Sequence, residues 1–222
     1  MIVWLISDTH SRHRELKVPQ ADMVIFAGDA TNYKNIHHNI EEFEDFLDWF
    51  LGLEIPHKVL IGGNHDGCLT KKYMKNRLKS LSLHYLEDSG VEIEGLKIYG
   101  SPWTPTFGDW SFMRSRESLG SHWSKIQGPI DILVTHGPPK GVLDLAYRSD
   151  GLYEQCGDHG LLRAVERLNP KINVFGHIHE NKAALNAGSA KIQGIDTIFY
   201  NASCVVDGIG LPLHYHGHLI EI

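Results

Sequence analysis

Side chains able to bind a metal recur in five short motifs along this 222-residue chain. The motifs are Asp8-Thr9-His10, Gly28-Asp29, Gly63-Asn64-His65-Asp66, His136 within Thr135-His136-Gly137-Pro138-Pro139, and Gly176-His177-Ile178-His179. Asp8, His10, Asp29, Asn64, His136, His177 and His179 mix carboxylate, amide and imidazole donors. Such a set suits Mn²⁺, Fe, Zn²⁺ or Co²⁺ better than Ca²⁺, which prefers an all-oxygen shell. Two divalent ions about 3.5–4 Å apart would orient a bridging hydroxide for attack, so the chemistry on offer is two-metal hydrolysis, with phosphate esters among the substrates such sites take. Two carboxylates against two such ions leave a net charge of about +2, which draws a phosphate ester and lowers the pKa of the bridging water toward about 7. The neutral amide of Asn64 preserves that surplus. Mn²⁺ is the first ion expected.

Each motif directly follows an apolar run of β character: residues 2–6, 23–27, 58–61, 130–134 and 172–175. In an open α/β sheet ligands bind outside the carboxyl ends of the strands, so five such ends can converge on one crevice. The remaining pattern supplies the scaffold. Residues 39–53 form an amphipathic helix with Ile40, Phe43, Phe46, Leu47 and Phe50 on one stripe, stopped before the next strand by Pro56. Further helices are expected over 69–81 and 158–168, the last ended by Pro170. Residues 91–93 and 96–99 flank Glu94-Gly95 as a hairpin. Residues 197–200 and 213–220 read as later strands without helices between them. The sum is an α/β fold in which two mixed sheets pack face to face with helices outside, a four-layer α/β/β/α sandwich, in a single domain over residues 1–222.

This ordered motif set resembles the calcineurin-like metallophosphoesterase superfamily from Asp8 to His179. Tyr99-Gly100-Ser101-Pro102-Trp103-Thr104-Pro105, the segment from Phe107 to Phe112, Val134 to Gly141, Gly176 to Glu180 and Asn201-Ala202-Ser203 narrow the likeness. They are similar to the small metallophosphoesterase-domain proteins of animal brain and their bacterial relatives, a group associated with hydrolysis of cyclic nucleotides and other phosphodiesters. The resemblance implies two divalent ions. The first would take Asp8, His10, Asp29 and His179; the second would take Asp29, Asn64, His136 and His177, with Asp29 bridging. It also implies that His65 stabilises the transition state and protonates the leaving oxygen. Asp66 is expected either to orient the His65 ring or to cap the following helix. The Asp-Arg-Gly extension that marks Ser/Thr protein phosphatases is missing, because Ala30-Thr31-Asn32-Tyr33 follows Asp29.

Other residues have both a plain and a functional reading. The segment Ser101 to Phe112 is stiffened by Pro102 and Pro105 and carries Trp103, Phe107, Trp110 and Phe112. It can bury its rings as a local core or offer Trp103 and Trp110 as a wall on which a nucleobase stacks. His13 lies close enough in sequence to the first motif to reach substrate. Of the 15 histidines, His37, His38, His57, His84, His122, His214, His216 and His218 read as structural or solvated. The last three alternate on one face of a strand. Lys71, Lys72, Lys75, Arg77 and Lys79 read as a solvated helix face. Gly28, Gly63 and Gly176 admit close backbone approach or a positive φ beside the metals.

Hydrophobic residues at 42% and charged residues at 22% describe an ordinary globule. No apolar run is long enough to span a bilayer, and cleaving the first apolar run as a signal would sever it just before Asp8. Three widely spaced cysteines, Cys68, Cys156 and Cys204, form neither a disulfide framework nor a zinc pattern. A cytoplasmic protein is expected. A net charge of −6 argues against a stable complex with nucleic acid but not against a phosphate substrate. The activity that the resemblance implies is that of a dinuclear-metal phosphodiesterase acting on small or cyclic nucleotide diesters. A phosphomonoesterase or nuclease on the same core, and a non-catalytic scaffold, are the alternatives.

Overall fold

In the computed structural model, residues 1–147, 150–181, 184–206, 213 and 215–222 are described. The first sheet has the order β15-β1-β2-β3-β4, from strands β1 (Ile2–Ile6), β2 (Met23–Phe26), β3 (His57–Leu60), β4 (His84–Tyr85) and β15 (His218–Glu221). Strands β1 to β4 run parallel and β15 pairs antiparallel with β1. The second sheet has the order β13-β14-β12-β9-β6-β5. It comprises β5 (Ser89–Ile93), β6 (Leu96–Ser101), β9 (Ile132–Thr135), β12 (Ile172–Phe175), β13 (Gly188–Ala190) and β14 (Ile198–Asn201). Its four central strands are parallel, with β5 and β13 antiparallel at the edges. Two small additions lie outside the sheets: β7 (Thr104–Pro105) with β8 (Met113–Arg114), and the hairpin of β10 (Leu145–Tyr147) with β11 (Tyr153–Gln155).

The alternation of side chains along each strand explains the layers. Val3, Leu5, Met23, Ile25 and Val59 from the first sheet meet Ile98, Ile132, Val134, Ile172 and Val174 from the second in one buried cluster. The intervening residues Trp4, Ile6, Val24, Phe26 and Leu60 face outward onto helix α1 (Ile36–Leu51) and helix α2 (Lys72–Leu78). Leu133, Phe175 and Phe199 face outward onto α3 (Arg116–Trp123) and α4 (His159–Leu168). The fold is thus the expected four-layer α/β/β/α sandwich. No helix among the described residues is long and apolar enough to cross a membrane.

Several boundaries differ from expectation. Helix α1 begins at Ile36, because the Asn35 side chain accepts the amides of His37 and His38. The region expected as one helix over 69–81 is a 3₁₀ turn (Gly67–Thr70) followed by α2. Helix α4 starts where expected, with Asp158 accepting Leu161 N–H, and stops at left-handed Asn169 before Pro170. Glu94 (φ 48°) and Gly95 (φ 80°) form the two-residue turn between β5 and β6. Strand β15 starts only at His218, so His216 precedes it and the expected face of alternating histidines is not formed; His214 lies outside the described residues.

Candidate metal centre

Every one of the five motifs sits at the carboxyl end of a parallel strand. Asp8 and His10 follow β1, Asp29 follows β2, Asn64 and His65 follow β3, His136 follows β9, and His177 and His179 follow β12. The ends of the two sheets are joined there by a bridge between Ser7 and Ser203, so donors from both sheets enter one crevice. Asp8, His10 and His179 bring ligand atoms within 4.8 Å of one another, and so do Asp29, His136 and His177. His179 Nε2 is 3.2 Å from Asp8 Oδ1 and 3.3 Å from His10 Nε2. His136 Nε2 is 3.3 Å from Asp29 Oδ2 and 2.9 Å from Asn64 Oδ1. His10 Nε2 stands 4.0 Å from Asp29 Oδ2, which places Asp29 between the two groups.

Backbone carbonyls set the ring orientations. His10 Nδ1 lies 3.1 Å from Thr31 O, His136 Nδ1 2.9 Å from Ala27 O, and His65 Nδ1 3.1 Å from Asn32 O. With Nδ1–H donating to those carbonyls, each Nε2 is aimed into the crevice; in His10 and His136 that is the arrangement a metal-ligating imidazole requires once its Nε2 is deprotonated. Asp8 (φ 53°), His10 (φ 42°), Asp29 (φ 60°) and His177 (φ 68°) all occupy the left-handed region. Strain of this kind persists only where surroundings over-determine it. Asp66 supplies much of that restraint. Its buried carboxylate accepts Asp29 N–H at 2.9 Å, Gly63 N–H at 2.8 Å, and both Thr31 N–H and Oγ1–H at 3.0 Å. Two close approaches need glycine: a methyl group on Gly63 would strike Asp29, and one on Gly176 would strike the Asp8 carboxylate.

The electrostatics call for a cation. Asp8 and Asp29 are buried, and among the described residues neither pairs with a lysine or arginine. Burial raises the Asp8 carboxyl, but the hydrogen bond and charge of His179, with His136 beyond, hold it down at about 2. Burial likewise opposes ionisation of Asp29, and the charges of His136 and His65 outweigh it and keep the group well below the usual range. Burial lowers His136, yet Asp29 and Asp8 pull it up to about 9. Burial pushes His10 down to about 4 and His177 to about 3. Asn64 Nδ2 is buried without a hydrogen-bond partner while its Oδ1 faces His136 Nε2. Two buried carboxylates that only imidazoles offset, and an orphaned Asn64 amide, are what a pair of divalent ions would satisfy, so the residues present fit that group.

The other site expectations divide. His65 joins His10 and Asp29 within 4.8 Å, and its backbone N–H donates to Asp29 Oδ1 at 2.7 Å. Asp66 neither orients the His65 ring, which Asn32 O holds, nor caps the following turn with its side chain. Its acceptor capacity is spent on the Asp29 and Gly63 backbone instead. Trp110 lies 4.2 Å from the His65 ring, tilted by 30°. Trp103 is turned away: its Nε1–H donates to Asp88 at 2.7 Å, and Arg114 covers its face at 3.9 Å. His13 is also removed from the crevice, buried against Phe46 and Trp49 with Nε2 3.1 Å from Asp45. The short 3₁₀ helix His13–Glu15 carries it toward α1. Phe107, half-exposed, reaches within 5.2 Å of the His177 ring.

One supporting residue escaped sequence reasoning. Asn39, buried in α1, directs its Nδ2 at Thr31 Oγ1, Tyr33 O and His65 O, and its Oδ1 accepts Cys68 N–H. It ties the Thr31 loop to the His65 loop. Its signal was a polar residue within the apolar stripe of an amphipathic helix.

Comparisons with known proteins show the family. The family model for calcineurin-like phosphoesterases matches residues 1–181. This chain belongs to that family. Among members, metallophosphoesterase domain-containing protein 1 of Homo sapiens is 33% identical over 91% of this chain and 66% of its own length. The chain therefore spans just under two thirds of that relative. A UPF0046 protein of Caenorhabditis elegans is 36% identical over 89% of this chain and 73% of its own. In fold the chain is similar to a phosphopantetheinyl hydrolase of Mycobacterium tuberculosis, with TM-score 0.58 and 17% identity over 90% of this chain and 88% of that one.

Proposed function

We propose that the chain is a phosphodiesterase dependent on two divalent ions, with Mn²⁺ the first to be tested, acting on small or nucleotide-derived diesters. The observation that carries this reading is the convergence of carboxylate, amide and imidazole donors from both sheets, beside a histidine left free to handle a proton. Asp8, His10, Asp29 and His179 would hold one ion; Asp29, Asn64, His136 and His177 would hold the other. When bound, the ions supply positive charge for the phosphoryl oxygens and an activated water as nucleophile. His65 keeps Nδ1–H on Asn32 O, and a proton on Nε2 is given to the departing ester oxygen. Asp66 holds the Asp29 and Gly63 backbone so that the shared carboxylate stays in position. Trp110 packs against the His65 ring, and Lys34 and Lys71 line the recess that opens there, giving an anionic ester a favourable approach.

The test compares leaving groups. In His65→Gln, bound metal should remain while kcat falls by about 10²–10⁴-fold for diesters with an alkoxide leaving group. The loss should be much smaller for p-nitrophenyl diesters, whose leaving group needs little protonation. Equal losses for both would remove His65 from the acid role. Failure of cyclic nucleotides, linear diesters and monoesters alike to react with Mn²⁺ would remove the hydrolytic reading itself. Preference for the monoester would replace the diesterase reading.

A further inference from the structure

Among the described residues, recesses adjoin the candidate metal centre at different ends of the donor set. One, of about 230 Å³, adjoins Asn64 and His65 and runs under Trp110 between Lys34 and Lys71. The other, of about 120 Å³, is floored by His177, Ile178 and His179 and walled by Asn181, Ala146 and Tyr147. Each is smaller than the roughly 300 Å³ at which a pocket encloses a complete small ligand, and they share no lining residue.

The second recess has a built wall. Tyr147 ends β10, and the start of that strand is pinned to the segment after His179. Asn186, buried, accepts Leu145 N–H at 3.1 Å and donates to Leu145 O at 2.8 Å and His179 O at 2.9 Å. Asn181 Nδ2 donates to the same Leu145 carbonyl at 3.1 Å. This mount fixes the strand relative to His179 and yet leaves Tyr147 58% exposed, its ring 5.2 Å from that of Tyr153. The amphipathic Tyr147 ring thus stands in water beside His177 and His179, where its free edge and face can meet a flat partner.

We propose that this recess holds the ester arm that stays on phosphorus, and that Tyr147 selects substrates whose retained arm carries a flat ring, such as a nucleoside. The inference rests on the phosphodiesterase reading and deepens it. A linear phosphodiester has two arms diverging from one tetrahedral centre. The arm that leaves goes to the recess beside His65, where its oxygen is protonated, and the arm that remains extends toward His177 and His179. A monoester has no group for the second recess.

The experiment uses the Mn²⁺-loaded protein and esters sharing one leaving group: the p-nitrophenyl ester of thymidylate, methyl p-nitrophenyl phosphate and p-nitrophenyl phosphate. Stacking should favour the thymidylate ester over the methyl ester by about tenfold in kcat/KM. Tyr147→Ala should bring that ratio close to one, and Tyr147→Phe should retain it. A readout without turnover is calorimetric binding of thymidylate against inorganic phosphate: thymidylate should bind about tenfold tighter, and Tyr147→Ala should abolish the difference. Equal rates for the two diesters in the parent protein, or equal losses for both in Tyr147→Ala, would overturn the proposal. So would a change of oligomeric state in that variant with the ratio intact, which would assign the ring to a contact between copies. If no ester reacts, the phosphodiesterase reading fails, and the thymidylate–phosphate comparison still decides the role of Tyr147.

Discussion

Asp66 illustrates how one buried carboxylate can serve a site without facing it. Burial and the charge of Asp29 raise its pKa to about 6, while hydrogen bonds from Gly63 and Thr31 oppose the rise. In Asp66→Asn the replacement amide can accept only through its single oxygen, and its NH₂ must point at backbone donors. Asp29 would lose part of the restraint on its left-handed backbone. Metal affinity should fall by about 10–100-fold, as for other groups that orient a metal ligand; calorimetric titration with Mn²⁺ checks this, and unchanged affinity would show that Asp66 does not restrain Asp29. At this scale the donor set was legible in sequence, because each donor lies next to a strand end and adjacency alone puts it at the crevice. His13 was not, since nearness along the chain says nothing of direction. Trp103 and Trp110 sit in the same loop, and only contacts with Asp88 and Arg114 for one, and with His65 for the other, tell them apart.

Elements were legible in proportion to their periodicity. Strands β1, β2, β3, β9 and β12 announced themselves as buried apolar runs, and α1 as a complete stripe. Helix α3 was missed because only Leu119 and Trp123 mark its buried face and Gly120 interrupts it. The hairpin of β10 and β11 was missed because its residues are largely exposed and carry no alternation. Residues 69–81 read as one helix because Met74, Leu78 and Leu81 keep helical spacing, but Leu69 belongs to the preceding 3₁₀ turn. What holds α3 against α4 is visible only in the fold. Asp158 Oδ1 accepts both Leu161 N–H at 2.8 Å, as the cap of α4, and Trp123 Nε1–H at 2.9 Å from α3. Asp158→Ala should therefore cost about 1–3 kcal/mol by urea denaturation, through a lost cap and an unpaired buried indole N–H. Asp158→Asn keeps that oxygen and should lose much less. Equal losses for both would point to charge, including the nearby Arg116, rather than to the shared acceptor.

The whole molecule places its candidate metal donors on both sides of the central apolar layer. Asp8, His10, Asp29 and Asn64 come from the first sheet, while His136, His177 and His179 come from the second. Below the crevice the sheets are held by apolar side chains. At the crevice they meet through carboxylates and imidazoles, with Asp8, Asp29 and Asp66 all buried. Divalent ions there would act as a clamp between sheets as well as a reagent. Any ligand that binds only the folded state raises its stability, by about 2.7 kcal/mol at a free concentration of about a hundred times Kd. Chelation should therefore lower the melting temperature, and Mn²⁺ should restore it. Asp29→Ala should blunt that response, since Asp29 lies between the two donor groups. The distribution of the effect is the sharper test. Hydrogen exchange of the stripped protein should quicken in the segments after β1, β2 and β3 and also in those after β9 and β12, while the middle of the apolar layer changes little. Faster exchange confined to one sheet would mean that the ions are held by that sheet alone, and the clamp between sheets would have to be abandoned.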